Sequence, residues 1–169
     1  RRAMLDNESF AAEAYWNVRH RLAEKRQRIL TLNETVGHRV DLWPYQWAQL
    51  MASALEYEPD AILELGRGAG NSTCAFTEVA HMLKPHTCQV VSVCLSAGWN
   101  QTSAAVAAKV PAGWFDPLQV ETANILTYDY RTVLQGFDRV LVFWDAHGFD
   151  VAECVLGEIL PLLAKRSHL

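Results

Sequence analysis

The sequence predicts an α/β fold, a three-layer sandwich in which a mainly parallel sheet lies between helices, with further helices at the N-terminus. Three observations predict it. Short apolar runs alternate with helical stretches of roughly 10 to 15 residues. The first of these runs leads straight into three glycines at alternate positions, Gly66, Gly68 and Gly70. Half of the 169 residues are apolar, enough for a sizeable core in a single domain.

The elements follow in order. Residues 7–30 read as a charged amphipathic helix, with Phe10, Ala14, Val18, Leu22 and Ile29 recurring near helical spacing. Residues 33–39 read as a loop. Asp41 shortly before Pro44 suits the start of a second helix, carried through Trp47, Leu50, Met51 and Leu55 and ended before Pro59. A first strand is expected at 61–65 and a helix over 72–83, broken by Pro85. The β-branched run 89–95 is a buried strand, and the Ala-rich stretch 101–110 is helical. A weaker strand spans 118–122 and a short helix 128–135. RVLVFW at 139–144 is the strongest strand signal, and a last helix covers 151–163, ending before Arg166, with Asp150 as its N-cap and Glu153 completing a capping box.

Residues 1–40 therefore form an N-terminal helical segment and 41–169 the α/β core. Four strands are countable, where a doubly wound nucleotide fold has about six. The core is expected to be incomplete at the C-terminus, truncated after the fourth strand and its helix.

Composition excludes several function classes. Fifteen basic and nineteen acidic residues leave a net charge of −4, which gives no electrostatic argument for nucleic acid or an anionic membrane. No apolar run approaches the roughly 18 residues of a membrane span, and no apolar leader segment follows the basic N-terminus. Cys74, Cys88, Cys94 and Cys154 form no CxxC pair and sit in apolar contexts, which predicts reduced thiols and a cytoplasmic address. The charged face from Arg19 to Arg28 suits solvent or a contact between copies in a homo-oligomer.

The glycine turn carries the chemistry. A buried strand runs into ELGRGAGNST, from Glu64 to Thr73, and a helix starts at once, with Asn71 or Ser72 as its N-cap. Glycines tolerate positive φ and let a ligand approach the backbone. Dinucleotide folds want G-x-G-x-x-G, but here the sixth position is Asn71. A P-loop is excluded because no Gly-Lys-Ser/Thr follows. An acid two residues before G-x-G-x-G resembles the first motif of the Rossmann-like class I methyltransferases, which use S-adenosylmethionine. Asn71-Ser72-Thr73 is similar to the helix start of their O-methyltransferase branch. The resemblance implies cofactor contacts at Glu64, Gly66, Arg67, Gly68, Gly70 and Ser72.

In both cofactor classes an acid ends the second strand and binds the ribose. The run VVSVCLS has none, and Cys94 and Ser96 stand in its place. Ser96 could give one hydrogen bond there, and Trp99 could flank the adenine. Asn124, after the third strand, is the candidate for the adenine edge. Ligands of open α/β sheets bind at the carboxyl ends of strands, where Asp145 and His147 emerge from the fourth. Asp145 matches the metal-binding Asp of metal-dependent O-methyltransferases of the catechol and caffeoyl-CoA type. That resemblance implies magnesium or another divalent cation at Asp145. The Lys base of those families is absent, and His147 is the candidate base. Trp43, Tyr45 and Trp47 cluster at the second helix, either as core or as part of a substrate wall. The expected function is methyl transfer from S-adenosylmethionine to a small hydroxylated acceptor. The alternatives are a non-catalytic or truncated Rossmann-like domain acting by association, and an NAD-linked oxidoreductase.

Overall fold

The computed structural model describes residues 7–37, 42–83 and 87–164, with side chains from residue 12 onward. The side chain of Phe10, loop residues 38–39, Asp41, Pro85 and Arg166 lie outside the described residues.

Helix α1 (Asn7–Val36) runs six residues beyond its expected end. The reason is that Leu32 and Val36 continue the apolar face of Val18, Leu22 and Ile29, and all five are buried. Asn33 does not break the helix, because its side-chain amide donates to the Leu42 carbonyl at 3.0 Å. The stop is Gly37, at φ 52°, whose N–H returns to the Asn33 carbonyl at 3.1 Å. Helix α2 (Pro44–Tyr57) begins with proline in its first turn, where a missing N–H costs nothing. The Gln46 side chain accepts from the Trp43 N–H at 2.8 Å. The helix ends at Glu58, left-handed at φ 51°.

The remaining elements are β1 (Ala61–Leu65), α3 (Asn71–Met82), β2 (Gln89–Val93), α4 (Gly98–Ala107), β3 (Leu118–Glu121), a 3-10 turn (Ile125–Thr127), α5 (Tyr130–Val133), β4 (Val140–Trp144), α6 (Phe149–Cys154), a π-helical turn (Val155–Ile159) and α7 (Leu160–Ala164). The π turn has a local cause. Pro161 has no N–H to give the Gly157 carbonyl, and its ring crowds that oxygen, so the helix widens just before it. The expected N-cap at Asp150 is corrected. Gly148, at φ 123°, is the N-cap, and Asp150 lies in the first turn. A glycine can turn the chain off β4 sooner than the Asp allows, and the helix starts two residues earlier than expected.

The strand order is β3-β2-β1-β4 and every pair is parallel. The expected Rossmann-like sandwich is therefore what forms. On one face Ile62 and Val90 pack under α1, α2, α3 and α4 with Trp47, Phe76, Val106 and Trp114. On the other, Leu63, Leu65, Val91 and Val93 pack with Tyr130, Leu134, Cys154 and Ile159. All five residues of β1 are buried, as expected of a central parallel strand. Among the described residues no helix is long and apolar enough to cross a membrane.

Candidate functional site

The chain leaves β1, builds β2 and β3 on one side, then crosses back to place β4 on the other. The order reverses between β1 and β4, and a crevice opens outside the carboxyl ends at such a point. The glycine turn and the Asp145 loop meet there. The ladder continues past β4, with the Asp145 N–H donating to the Leu65 carbonyl at 2.9 Å. A Cβ at Gly66 would stand 2.8 Å from the Ala146 nitrogen, so only glycine fits against that loop.

Gly68 and Gly70 differ in what faces them. A Cβ at Gly70 (φ 102°) would run into Cε3 and Cζ3 of Trp99, with Cδ2 at 3.4 Å. Trp99 is 5% exposed and packs edge-on to Phe115, their ring centroids 6.3 Å apart. At Gly68 (φ 53°) a Cβ would meet nothing within 4 Å. The protein's own atoms thus account for two glycines, and the third faces open space. Gly98 closes the far wall, where a Cβ would lie 2.9 Å from the Gly68 carbonyl oxygen. Gly70, rather than Asn71 or Ser72, is the N-cap of α3, which corrects the sequence reading. Asn71 instead accepts from the Trp47 indole N–H at 3.0 Å, and Ser72 turns inward.

Beneath the turn lies a buried polar network that the motif alone did not predict. Glu64 is sealed from solvent, and its carboxylate accepts from the hydroxyls of Ser72, Ser92 and Thr73, the last at 2.7 Å. Burial pushes its pKa above the usual carboxylate range, while the three hydroxyls and Arg67 pull it back. Arg67 is only 2% exposed. Its guanidinium donates to the Ser92 carbonyl at 2.7 Å, to Ser92 Oγ at 3.1 Å and to the Glu121 carbonyl at 3.4 Å. One arginine thereby ties the carboxyl ends of β2 and β3 together. Its Nε is buried without a hydrogen-bond partner among the described residues. Ser92 on β2 stands in register with Glu64 on β1, which brings its hydroxyl to the carboxylate.

The other predicted site residues lie at the surface of this end of the sheet. Ser96 is exposed, and its hydroxyl accepts from the Gly98 N–H at 3.1 Å. Asn124 is exposed and caps the 3-10 turn, accepting from the Leu126 N–H at 3.0 Å. Asp145 and His147 are exposed on the loop after β4. Among the described residues no group of three His, Cys, Asp or Glu side chains converges to hold a metal ion. The described residues by themselves thus supply no complete cation site around Asp145. Gly68 leaves open space over the turn where a side chain would otherwise stand. Burial raises the thiol pKa of Cys74 and of Cys88, the latter to about 12, so neither supplies a thiolate at neutral pH.

The O-methyltransferase TomG from Streptomyces achromogenes, in complex with SAM, matches 98% of this chain and 64% of its own at a TM-score of 0.52 and 17% identity. The chain has the Rossmann-like methyltransferase fold. An O-methyltransferase from Bacillus cereus in complex with SAH matches the same shares at a TM-score of 0.53 and 17% identity. A cmcI structure with SAH matches 73% of this chain and 58% of its own, at 0.52 and 17%. The chain thus spans about three fifths of the length of these methyltransferase-fold structures. No protein-family model and no curated protein sequence matches the chain.

Proposed function

We propose that this chain is the cofactor-binding part of an S-adenosylmethionine-dependent methyltransferase that methylates a hydroxyl of a small molecule. The observation that carries the reading is Gly68, held at positive φ with open space above it at the switch point between β1 and β4. In this reading Gly66, Gly68 and Gly70 shape the floor under the adenosyl group, Trp99 backs its far side and Ser96 offers one hydroxyl to the ribose. Glu64 and Arg67 act from below by fixing the turn on β2 and β3. When bound, the cofactor supplies an electrophilic methyl group. His147 takes the proton of the acceptor hydroxyl, and Asp145 beside it orients that hydroxyl. Asn124 borders the adenine end. The cytoplasm is the proposed compartment, since the four cysteines are free thiols.

Calorimetric titration with S-adenosylhomocysteine, with NAD as comparison, tests the reading. Binding of the first and not the second supports it. Saturation at about 100 times Kd should add about 2.7 kcal/mol of stability. Binding of NAD alone favours an oxidoreductase, and binding of neither refutes the enzyme reading. One observation favours a second reading, a Rossmann-like domain acting by association: β2 runs out into Cys94, Leu95 and Ser96 without a carboxylate for the ribose. Metal assistance at Asp145 requires ligands beyond the described residues. A magnesium-dependent thermal shift lost in Asp145→Ala supports it, and equal responses exclude it.

A further inference from the structure

The glycine turn has little conformational preference of its own. Gly66, Gly68 and Gly70 all stand at positive φ, and glycine takes positive and negative φ about equally readily. Backbone bonds tie the two ends of the turn. The Gly66 N–H donates to the Val93 carbonyl at 3.1 Å, and the Cys74 N–H to the Gly70 carbonyl at 3.0 Å. What holds the middle comes from α4.

Three successive residues of the turn meet the start of α4. The Gly68 carbonyl oxygen lies so close to Gly98 that a Cβ there would stand 2.9 Å from it. Gly70 faces the Trp99 ring. Between them, the Ala69 carbonyl accepts from the Thr102 hydroxyl. The local alternative for that hydroxyl, the Trp99 carbonyl on its own helix, is farther away at 3.3 Å. The Ala69 carbonyl and the Gly70 N–H belong to one planar peptide unit. That N–H donates to the Arg67 carbonyl at 2.9 Å, so the plane is pinned at both poles. A trans peptide points its N–H opposite to its carbonyl, so the contact at Gly98 also turns the Ala69 N–H away from α4.

The helix that makes these contacts is itself anchored. Trp99, Thr102 and Val106 are spaced three and four residues apart, on one face of α4. Trp99 and Val106 are buried, with Trp99 edge-on to Phe115. The core therefore decides where the Thr102 hydroxyl stands.

We infer that α4 clamps the glycine turn in its ligand-binding shape, and that Thr102 is a positioning residue acting on the adenosyl ligand through the Ala69–Gly70 peptide. The effect on the ligand rests on the function proposed above, whereas the clamp rests on the contacts of α4 alone.

Two substitutions separate the hydroxyl from the shape of the side chain. Thr102→Val keeps the branched shape and removes the donor, and Thr102→Ser keeps the donor. In calorimetric titration of the whole chain, Thr102→Val should bind S-adenosylhomocysteine about three- to tenfold more weakly than the parent, with Thr102→Ser close to the parent. Amide exchange at Gly70, followed by NMR, should quicken by about tenfold in Thr102→Val and stay parental in Thr102→Ser. Gln101→Ala, at an exposed position of the same helix, should change neither reading. The inference is overturned if Thr102→Val binds like the parent or leaves Gly70 exchange unchanged. It is also overturned if Thr102→Ser loses as much as Thr102→Val, because the hydroxyl is then not the cause. If the parent binds no S-adenosylhomocysteine, the function proposed above falls and Gly70 exchange alone decides the clamp. Faster exchange in Thr102→Val and not in Thr102→Ser then upholds it, and equal exchange refutes it.

Discussion

Alanine at Gly68 and alanine at Gly70 separate ligand binding from folding within one turn. At Gly68 the added Cβ enters open space, so the only structural penalty is the left-handed backbone at φ 53°. That strain is worth about 1–2 kcal/mol, and loss of unfolded-state freedom offsets about 0.4–1 kcal/mol of it. The net loss is about 1 kcal/mol, a fall in Tm of about 2–4 °C for a chain of this size. At Gly70 the backbone stands at φ 102° and the Cβ collides with the Trp99 ring. Strain of about 1–3 kcal/mol and overpacking of about 1–3 kcal/mol add there, and the expected Tm loss is about 4 °C or more. Thermal denaturation and S-adenosylhomocysteine calorimetry read the two variants. Gly68→Ala should stay folded and lose affinity by about tenfold or more, because its methyl occupies the space assigned to the ligand. If it binds like the parent, the ligand does not lie over Gly68. If Gly70→Ala is as stable as the parent, the contact between turn and indole is wrong.

Three further variants probe the support beneath the site. Burial raises the Glu64 pKa, so the folded state favours the protonated acid. Its stabilising contribution is complete below the ordinary glutamate value of 4.5 and is lost as pH climbs through the raised one. Glu64→Gln should therefore gain stability relative to the parent as pH rises; urea denaturation at acidic and alkaline pH measures this, and a pH-independent difference would contradict it. Arg67→Met leaves the Ser92 and Glu121 carbonyls without their donor and should cost about 2–4 kcal/mol, read as a fall in the urea midpoint. Trp47→Phe removes the indole N–H that bonds Asn71 and opens a small cavity at a fully buried site, for an expected loss of about 2–4 kcal/mol in the same assay.

Much of the fold is written in short-range pattern. The runs at 61–65 and 89–93 form central strands because their side chains suit a sheet buried on both faces, whereas 118–121 and 140–144 form its half-exposed edges. The alternation of strand and helix implied parallel pairing because a right-handed crossover needs a connection of that length. Three glycines in ELGRGAG announced positive φ, and all three adopt it. The end of α1 was misread since Asn33 looks like a helix breaker until its partner, the Leu42 carbonyl, is known.

What stands opposite each side chain belonged to the tertiary structure. The motif makes its three glycines look alike, yet packing sets Gly70 against an indole from α4 and leaves Gly68 open. Arg67 lies in a loop, where a charge is ordinarily solvated, but it folds under the turn to meet carbonyls from two other strands. Tyr15 on α1 and Phe143 on β4 line one groove although more than a hundred positions separate them in the chain. Periodicity and turn chemistry act over a few residues, so the chain itself reveals them. Contacts between distant segments depend on the assembled layers, and only the folded chain decides them.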